Sequence, residues 1–356
     1  MTQCWSLAVA RDDLSRTAFS ERTIPAIDEG EVLLRVDRVG LTANNVTYAV
    51  LGESFRYWDF FPAEPGWGHV PLWGFAEVAE STVDGVTAGS RVYGYFPSAS
   101  HLRVRPSRVD LRGFRDGSVH RSELPSPYNV YALSTSDPVY DVDREDLLVL
   151  YRPLFYTSFM LADRLQDNGF FGAKTLVMSS ASSKTAYAAA FLLQGTGAEV
   201  IGLTSTPNVA FTESLGCYDR VLSYDGVQEL GKATPTAYLD LAGNAATRAR
   251  VGEHLGEQLV HESVVGVTHQ EQAGADALNG PRTTVFFAPD QMRKRTGDWG
   301  REGLDRAFAD AWHRFVPAVE GWVDVVRGEG PEALKKTWLD VLAGGTAPRQ
   351  GHVVTL

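Results

Sequence analysis

The spacing of hydrophobic and polar positions changes near Asp143. Before it, apolar residues recur at every second position in short runs broken by Gly and Pro, the pattern of half-buried strands. The runs "EVLLRVDRVGLT" (31–42), "GFAEVAEST" (74–82), "GSRVYGYFP" (89–97) and "SHLRVRPSRV" (100–109) read this way. Between the first two lies "SFRYWDFFPAEPGWGHVPLW" (54–73), in which seven of twenty residues are Phe, Trp or Tyr. It is too interrupted by polar residues for a helix. Its rings either pack over a core or wall a pocket for a bulky apolar or conjugated substrate.

After Asp143, "REDLLVLYRPLFYTSFMLADRLQ" takes helical spacing, with Pro153 as a break or first-turn residue. Strands and helices then alternate. "TLVMS" leads to "KTAYAAAFLLQG", "EVIGLTS" to "NVAFTESLG", "RVLSY" to a helix near "GVQELGK", and "AYLDLAG" to "NAATRARVGEHLG". A further strand begins at "HESVVGVTH". Apolar strands separated by helices predict an α/β fold with a parallel sheet, doubly wound in the manner of dinucleotide-binding domains. The tail from Gly321 reads as strand, helix, glycine-rich turn and strand.

Composition narrows the partners. A net charge of −11 argues against nucleic acid and against anionic membrane surfaces, both of which favour a basic face. Cys4 and Cys217 form no metal-ligand spacing and no disulfide framework. The start of the chain lacks the charged and apolar regions of a signal peptide. No apolar run approaches the roughly 18–20 residues of a membrane helix. The expectation is a cytoplasmic protein.

The order of parts resembles the medium-chain dehydrogenase/reductase superfamily, in particular its zinc-independent quinone-oxidoreductase and enoyl-reductase branch. "GEVLLRVDRVGLTANNVTYAVLG" is similar to the first catalytic-domain strand and the Asn/Asp-bearing segment after it. "PLWGFAEVAESTVDGVTAGSRVYGY", "SLGCYDRVLSYD" and "GTAPRQGHVVTL" resemble three later stretches, the last being the return of the chain to the catalytic domain. The wording "LTANNVTYAVLG" and "SSASSKTA" also resembles a bacterial subgroup that carries only a domain-of-unknown-function label. The resemblance implies a GroES-like β-rich domain (1–145 and 317–356) and a Rossmann domain (146–316). It also implies a homodimer formed through the Rossmann sheets. Metal-dependent relatives carry a Cys where Thr42 stands and a Gly-His-Glu near Pro71 to Gly74, so no catalytic zinc is expected.

The stretch "TLVMSSASSKTAYAAAFLLQ" (175–194) has the shape of a phosphate-binding turn without any glycine. A phosphate needs backbone N–H groups and the positive end of a helix; glycine permits the approach without being the ligand. The family fingerprint puts Ser179, Ser182 and Thr185 where glycine or alanine is usual. Ser180, Ser182, Ser183, Lys184 and Thr185 are read as cofactor ligands; the competing reading makes the serines helix caps. The next strand ends in Thr204 and Ser205 with no carboxylate for a ribose 2′-hydroxyl, which predicts NADPH over NADH. Thr157, Gly243, Val267, Thr268 and Phe287 resemble further cofactor contacts, each with a structural turn or cap as the alternative.

Hydride transfer belongs to the cofactor, and the protein must polarise the acceptor carbonyl. The polar candidates are Asn44, Asn45, Tyr48 and Tyr57, with Tyr48 as a proton donor or a core residue. Arg152 meets either a substrate anion or a salt-bridge partner. The leading expectation is zinc-independent, NADPH-linked reduction of an enone, enoyl thioester or quinone-like acceptor. A non-catalytic binding protein, and a lyase, isomerase or dehalogenase on the same fold, are the alternatives.

Overall fold

The computed structural model describes residues 1–265 and 282–356. In chain order these form β1 (Thr2–Ala10), β2 (Thr17–Ile24), β3 (Val32–Leu41), α1 (Ala43–Val50), β4 (Trp67–Gly68), β5 (Leu72–Ser81) and β6 (Arg91–Phe96). Next come β7 (His101–Val104), β8 (Pro106–Asp110), β9 (Gly113–Asp116), β10 (Val130–Leu133) and α2 (Glu145–Asp167). The alternating part holds β11 (Thr175–Met178), α3 (Lys184–Leu193), β12 (Glu199–Thr204), α4 (Val209–Ser214), β13 (Arg220–Ser223), β14 (Thr236–Asp240), α5 (Ala245–Leu255) and β15 (Leu259–Val264). Beyond the undescribed stretch lie β16 (Thr283–Val285), α6 (Ala288–Trp322), β17 (Asp324–Glu329), α7 (Gly330–Leu342) and β18 (Gln350–Thr355).

The chain divides into a unit of 1–152 with 323–356 and a unit of 153–322. The divisions fall inside α2 and at the end of α6, later than the 145/146 and 316/317 read from the sequence. The reason is helical continuity. Pro153 does not break α2, which runs through it. Its missing N–H instead frees the carbonyl of Val149. Gly40 of β3 lies against that carbonyl: a Cβ at Gly40 would stand 2.5 Å from the Val149 oxygen.

In the first unit, β3 is central. It pairs antiparallel with β5, β7 and β18, and β18 pairs parallel with β17, so the tail of the chain completes the sheet. A smaller sheet joins β2, β1 and β4. The apolar positions of these strands meet in one core with Trp58, Trp338 and Val341. Charges lock the start of α2 to this sheet. Glu145, almost fully buried, is held by Arg91 and accepts from the Tyr140 hydroxyl at 3.0 Å. Arg91 also reaches Asp37 at 2.6 Å, and Asp146 takes Arg38 at 3.0 Å and Arg327 at 2.7 Å.

In the second unit, the described strands form a parallel sheet in the order β13-β12-β11-β14-β15-β16. The strand order reverses between β11 and β14, which is the switch point of a doubly wound fold. Helix α3 packs on α6 through Phe191 and Phe315, whose ring centroids are 5.4 Å apart. Thus the fold is mixed α/β, as the sequence pattern predicts.

Replacing Glu145 by Gln leaves the Arg91 guanidinium in a site built for a carboxylate. Removing one member of a buried pair costs about 3 kcal/mol, so Glu145→Gln is expected to lower the urea midpoint of the first unit, followed by tryptophan fluorescence. An unchanged midpoint contradicts this account of the lock.

Candidate functional site

The turn after β11 explains its own lack of glycine. Ser179 is fully buried. Its hydroxyl donates to Asp240 Oδ1 at 3.0 Å and accepts the amides of Leu241 at 2.9 Å and Ala242 at 3.0 Å. A hydroxyl has one proton and two lone pairs, and all three are used. Asp240, fully buried at the end of β14, also accepts the Gly243 amide at 3.0 Å and pairs with Arg248 at 3.2 Å. Arg248 reaches on to Glu262 at 3.4 Å, and burial pushes the Glu262 carboxyl above its usual range. A glycine at 179 would leave this cluster without its central hydroxyl.

The rest of the turn is held by two tyrosines. Ser180 takes a left-handed backbone with φ 53°, a position that ordinarily favours glycine, and its amide donates to the Tyr224 hydroxyl at 2.8 Å. The Tyr218 hydroxyl donates to the Ala181 carbonyl at 2.9 Å, and the Ala181 amide bonds Leu203 at 3.0 Å. The close approach that glycine usually provides in the loop comes from the strand opposite: a Cβ at Gly202 would lie 2.8 Å from the Ala181 methyl.

Two of the predicted ligands turn out to be internal. Ser183 is the N-cap of α3, its hydroxyl accepting the Ala186 amide at 3.3 Å. Ser182 accepts from Thr204 and from the Asn208 side chain, both at 3.2 Å. The Ser183 amide is likewise engaged, donating to the Ser180 carbonyl at 2.8 Å. Among the described residues, the amides of Ser182 and Thr185 have no hydrogen-bond partner at the start of α3. Lys184 sits between them, partly buried, and burial pulls its ammonium down to about 8. An anion beside it would offset that desolvation. Two amides, a helix N-terminus and a desolvated cation fit a diphosphate. At the end of β12, Thr204 is buried while Ser205 and Thr206 are exposed, with no carboxylate beside them.

Other expected cofactor residues are placed as follows. Thr157 lies in the middle of α2 and bonds back to the Pro153 carbonyl at 3.2 Å, so it is neither a helix start nor a cap. Gly243 takes φ 64° in the turn that Asp240 holds. Phe287 is half exposed just ahead of α6. Val267 and Thr268 lie outside the described residues.

In the first unit, the stretch that holds Asn44, Asn45 and Tyr48 forms helix α1, Ala43–Val50, with Thr42 as its N-cap. The Asn45 side chain reaches back to the Thr42 amide at 2.7 Å while donating to the Pro71 carbonyl at 2.9 Å. Asn45 is therefore a buried capping residue, with both ends of its amide engaged by the scaffold. Asn44 is half-buried on α1, one turn before the buried Tyr48. The Trp73 indole N–H donates to the Tyr48 oxygen at 3.0 Å. Burial, reinforced by Tyr57, nevertheless holds the Tyr48 phenol well above its usual value. Tyr57 lies 4.7 Å from Tyr48 between ring centroids, and its hydroxyl meets that of Tyr128 at 3.4 Å. Burial pushes the Tyr57, Tyr95 and Tyr128 phenols up as well. The aromatic stretch thus supplies neutral hydroxyl and indole donors.

Under these rings lies Arg121, which the sequence did not single out. Its guanidinium pairs with Asp116 at 3.2 Å, donates to the Phe60 carbonyl at 3.2 Å and lies 4.6 Å from the Phe61 ring centroid. Arg152 is ion-paired with Asp137 and stands over Tyr93, which resolves its two readings toward the salt bridge. His69 bonds the Leu7 carbonyl at 3.2 Å and is kept neutral by burial. Among the described residues, no group of three His, Cys, Asp or Glu side chains is placed to hold a metal ion. No helix among them is long and apolar enough to cross a membrane.

Residues 39–347 match the family described as "Protein of unknown function (DUF2855)". The chain belongs to that family. No curated protein matches its sequence. This member of the DUF2855 family shares its fold with solved proteins over 99–100% of its length. CurA from Vibrio vulnificus in complex with NADPH is 14% identical, with 99% of this chain and 98% of that chain covered and a TM-score of 0.64. The quinone oxidoreductase from Coxiella burnetii is also 14% identical, with full coverage of both chains and a TM-score of 0.58. The complex of Etr1p with NADP and crotonyl-CoA is 10% identical, again fully covered, with a TM-score of 0.57.

Restoring the glycine of the common fingerprint tests this reading of the turn. Ser179→Gly removes three hydrogen bonds from a buried carboxylate cluster, at a cost of about 2–3 kcal/mol. Calorimetry is expected to show the second unit melting about 5–10 °C lower; an unchanged or raised melting temperature overturns the anchoring role.

Proposed function

We propose that this protein is an NADPH-dependent oxidoreductase that reduces an activated C=C or quinone-like acceptor by hydride transfer. The observation that carries the proposal is the start of α3, where the open amides of Ser182 and Thr185 flank Lys184. This arrangement answers the charge of a diphosphate without glycine. The nucleotide, when bound, supplies the hydride. Ser182, Lys184 and Thr185 hold its diphosphate, and the carboxylate-free end of β12 at Ser205 and Thr206 admits a 2′-phosphate. Tyr48 presents a neutral phenol whose role is to polarise a carbonyl by hydrogen bonding. Its raised pKa favours that role over full proton donation. Zinc plays no part in this reading. The NADPH, NADP and quinone-oxidoreductase names among proteins of the same fold support it.

Titration with NADPH and NADH, followed by nucleotide fluorescence and melting temperature, tests the proposal. NADPH is expected to bind more tightly than NADH and to raise the melting temperature. Because Lys184 carries its charge only below about 8, NADPH affinity is expected to fall as pH rises through that value. In Lys184→Ala the affinity is expected to be about tenfold weaker and to lose this pH dependence. Absence of binding by either nucleotide at millimolar concentration rejects the proposal.

A further inference from the structure

An indole nitrogen in a protein donates a hydrogen bond and never accepts one. The 3.0 Å contact between Trp73 Nε1 and the Tyr48 oxygen therefore has one polarity: Trp73 gives the proton and Tyr48 receives it. The Tyr48 proton must then point away from Trp73. The cage fixes both rings. Trp73 packs on Tyr95 at 4.9 Å and on Tyr93 at 5.7 Å between centroids, and Tyr48 meets Tyr95 edge-on at 5.5 Å. Tyr48 itself is buried, whereas Asn44, Tyr57, Trp73 and Tyr128 around it are only partly so. The floor of the cage is thus a phenol whose oxygen is already supplied with a donor, so that its own proton is turned away from Trp73.

We propose that Trp73 is a positioning residue: its indole N–H aims the Tyr48 hydroxyl proton at the carbonyl oxygen of a neutral conjugated acceptor and stabilises the charge that grows on the Tyr48 oxygen as that hydrogen bond strengthens. The inference rests on the oxidoreductase reading above. No proton leaves Tyr48 in this step; the O–H bond stays intact, and the acceptor carbonyl gains a hydrogen bond. The strength of such a donor depends on how its oxygen is held. The resemblance read from the sequence puts Trp73 within the stretch where metal-dependent relatives carry Gly-His-Glu. In this chain the position serves a tyrosine instead.

Two readouts test the proposal. The first is independent of turnover. In protein carrying 13Cζ-labelled tyrosine and 15N-labelled tryptophan, Trp73→Phe is expected to move the Tyr48 13Cζ resonance, assigned with Tyr48→Phe. Reciprocally, Tyr48→Phe is expected to move the Trp73 indole N–H resonance while leaving the other indoles in place; this arm holds even where Trp73→Phe fails to fold. The second readout is NADPH-linked reduction of 1,4-naphthoquinone. Trp73→Phe is expected to lower kcat about tenfold with little change in KM, Trp73→His to recover part of the loss through its ring N–H, and Trp73→Phe to add nothing in a Tyr48→Phe background. Resonances that stay in place, or equal losses in both backgrounds, overturn the positioning role. A wild-type protein that neither binds NADPH nor reduces the quinone defeats the oxidoreductase reading instead, and the resonances then show only whether Trp73 and Tyr48 are coupled.

Discussion

The Ser179 hydroxyl, set between a buried carboxylate and two amides, determines the shape of everything at the switch point of the parallel sheet. A carboxylate as deeply buried as Asp240 is tolerable only if its lone pairs are filled. Ser179, the Gly243 amide and Arg248 fill them. With β11 and β14 tied together in this way, the chain after Met178 runs through the turn into the N-terminus of α3. The turn then needs a left-handed residue at 180 and a small residue at 181. Tyr224, Tyr218 and Gly202 supply the bond, the clamp and the space that make Ser and Ala acceptable there. Glycine is thus absent because its two duties, conformational freedom and close approach, are met by other residues, and because one of its positions carries a hydroxyl that the core requires.

The first unit follows a comparable rule. A fully buried guanidinium, Arg121, sits beneath a layer of Phe and Tyr rings and is neutralised by Asp116. The polar groups named around Tyr48, the phenols of Tyr57, Tyr95 and Tyr128, the Trp73 indole and the Asn44 amide, are uncharged. On the proposed reading, such a layer suits a flat acceptor whose only polar demand is a hydrogen bond to a carbonyl. A charged reacting group would meet desolvation without a counter-ion.

The parallel sheet and the β-rich first unit were legible because each rests on local periodicity. Apolar runs such as "TLVMS" and "AYLDL" announce strands buried on both faces, and β3 alternates as a half-buried strand does. The hairpin of β1 and β2 gave no such signal, since β2 is largely exposed along its length. Helix α1 was hidden by Asn44 and Asn45, which disfavour helix interiors; Asn45 belongs there because it completes a cap with Thr42. Pro153 suggested a break, yet the tertiary packing of α2 carries it through. At the site, the start of α3 at Lys184 was readable from the pattern. The tasks of Ser179 and Ser182 were not, because their partners lie 61 and 22 residues away in sequence. The Trp73–Tyr48 contact was equally invisible, since an aromatic-rich stretch does not reveal which ring donates to which.

The central claim is that a glycine-free turn holds a dinucleotide by the amides of Ser182 and Thr185 and the charge of Lys184. A crystal structure grown with NADP+ tests it most directly. The account predicts diphosphate oxygens within hydrogen-bond distance of both amides, the Lys184 ammonium beside them, and Ser179 still bonded to Asp240. A nucleotide bound with its diphosphate away from the start of α3 would contradict it.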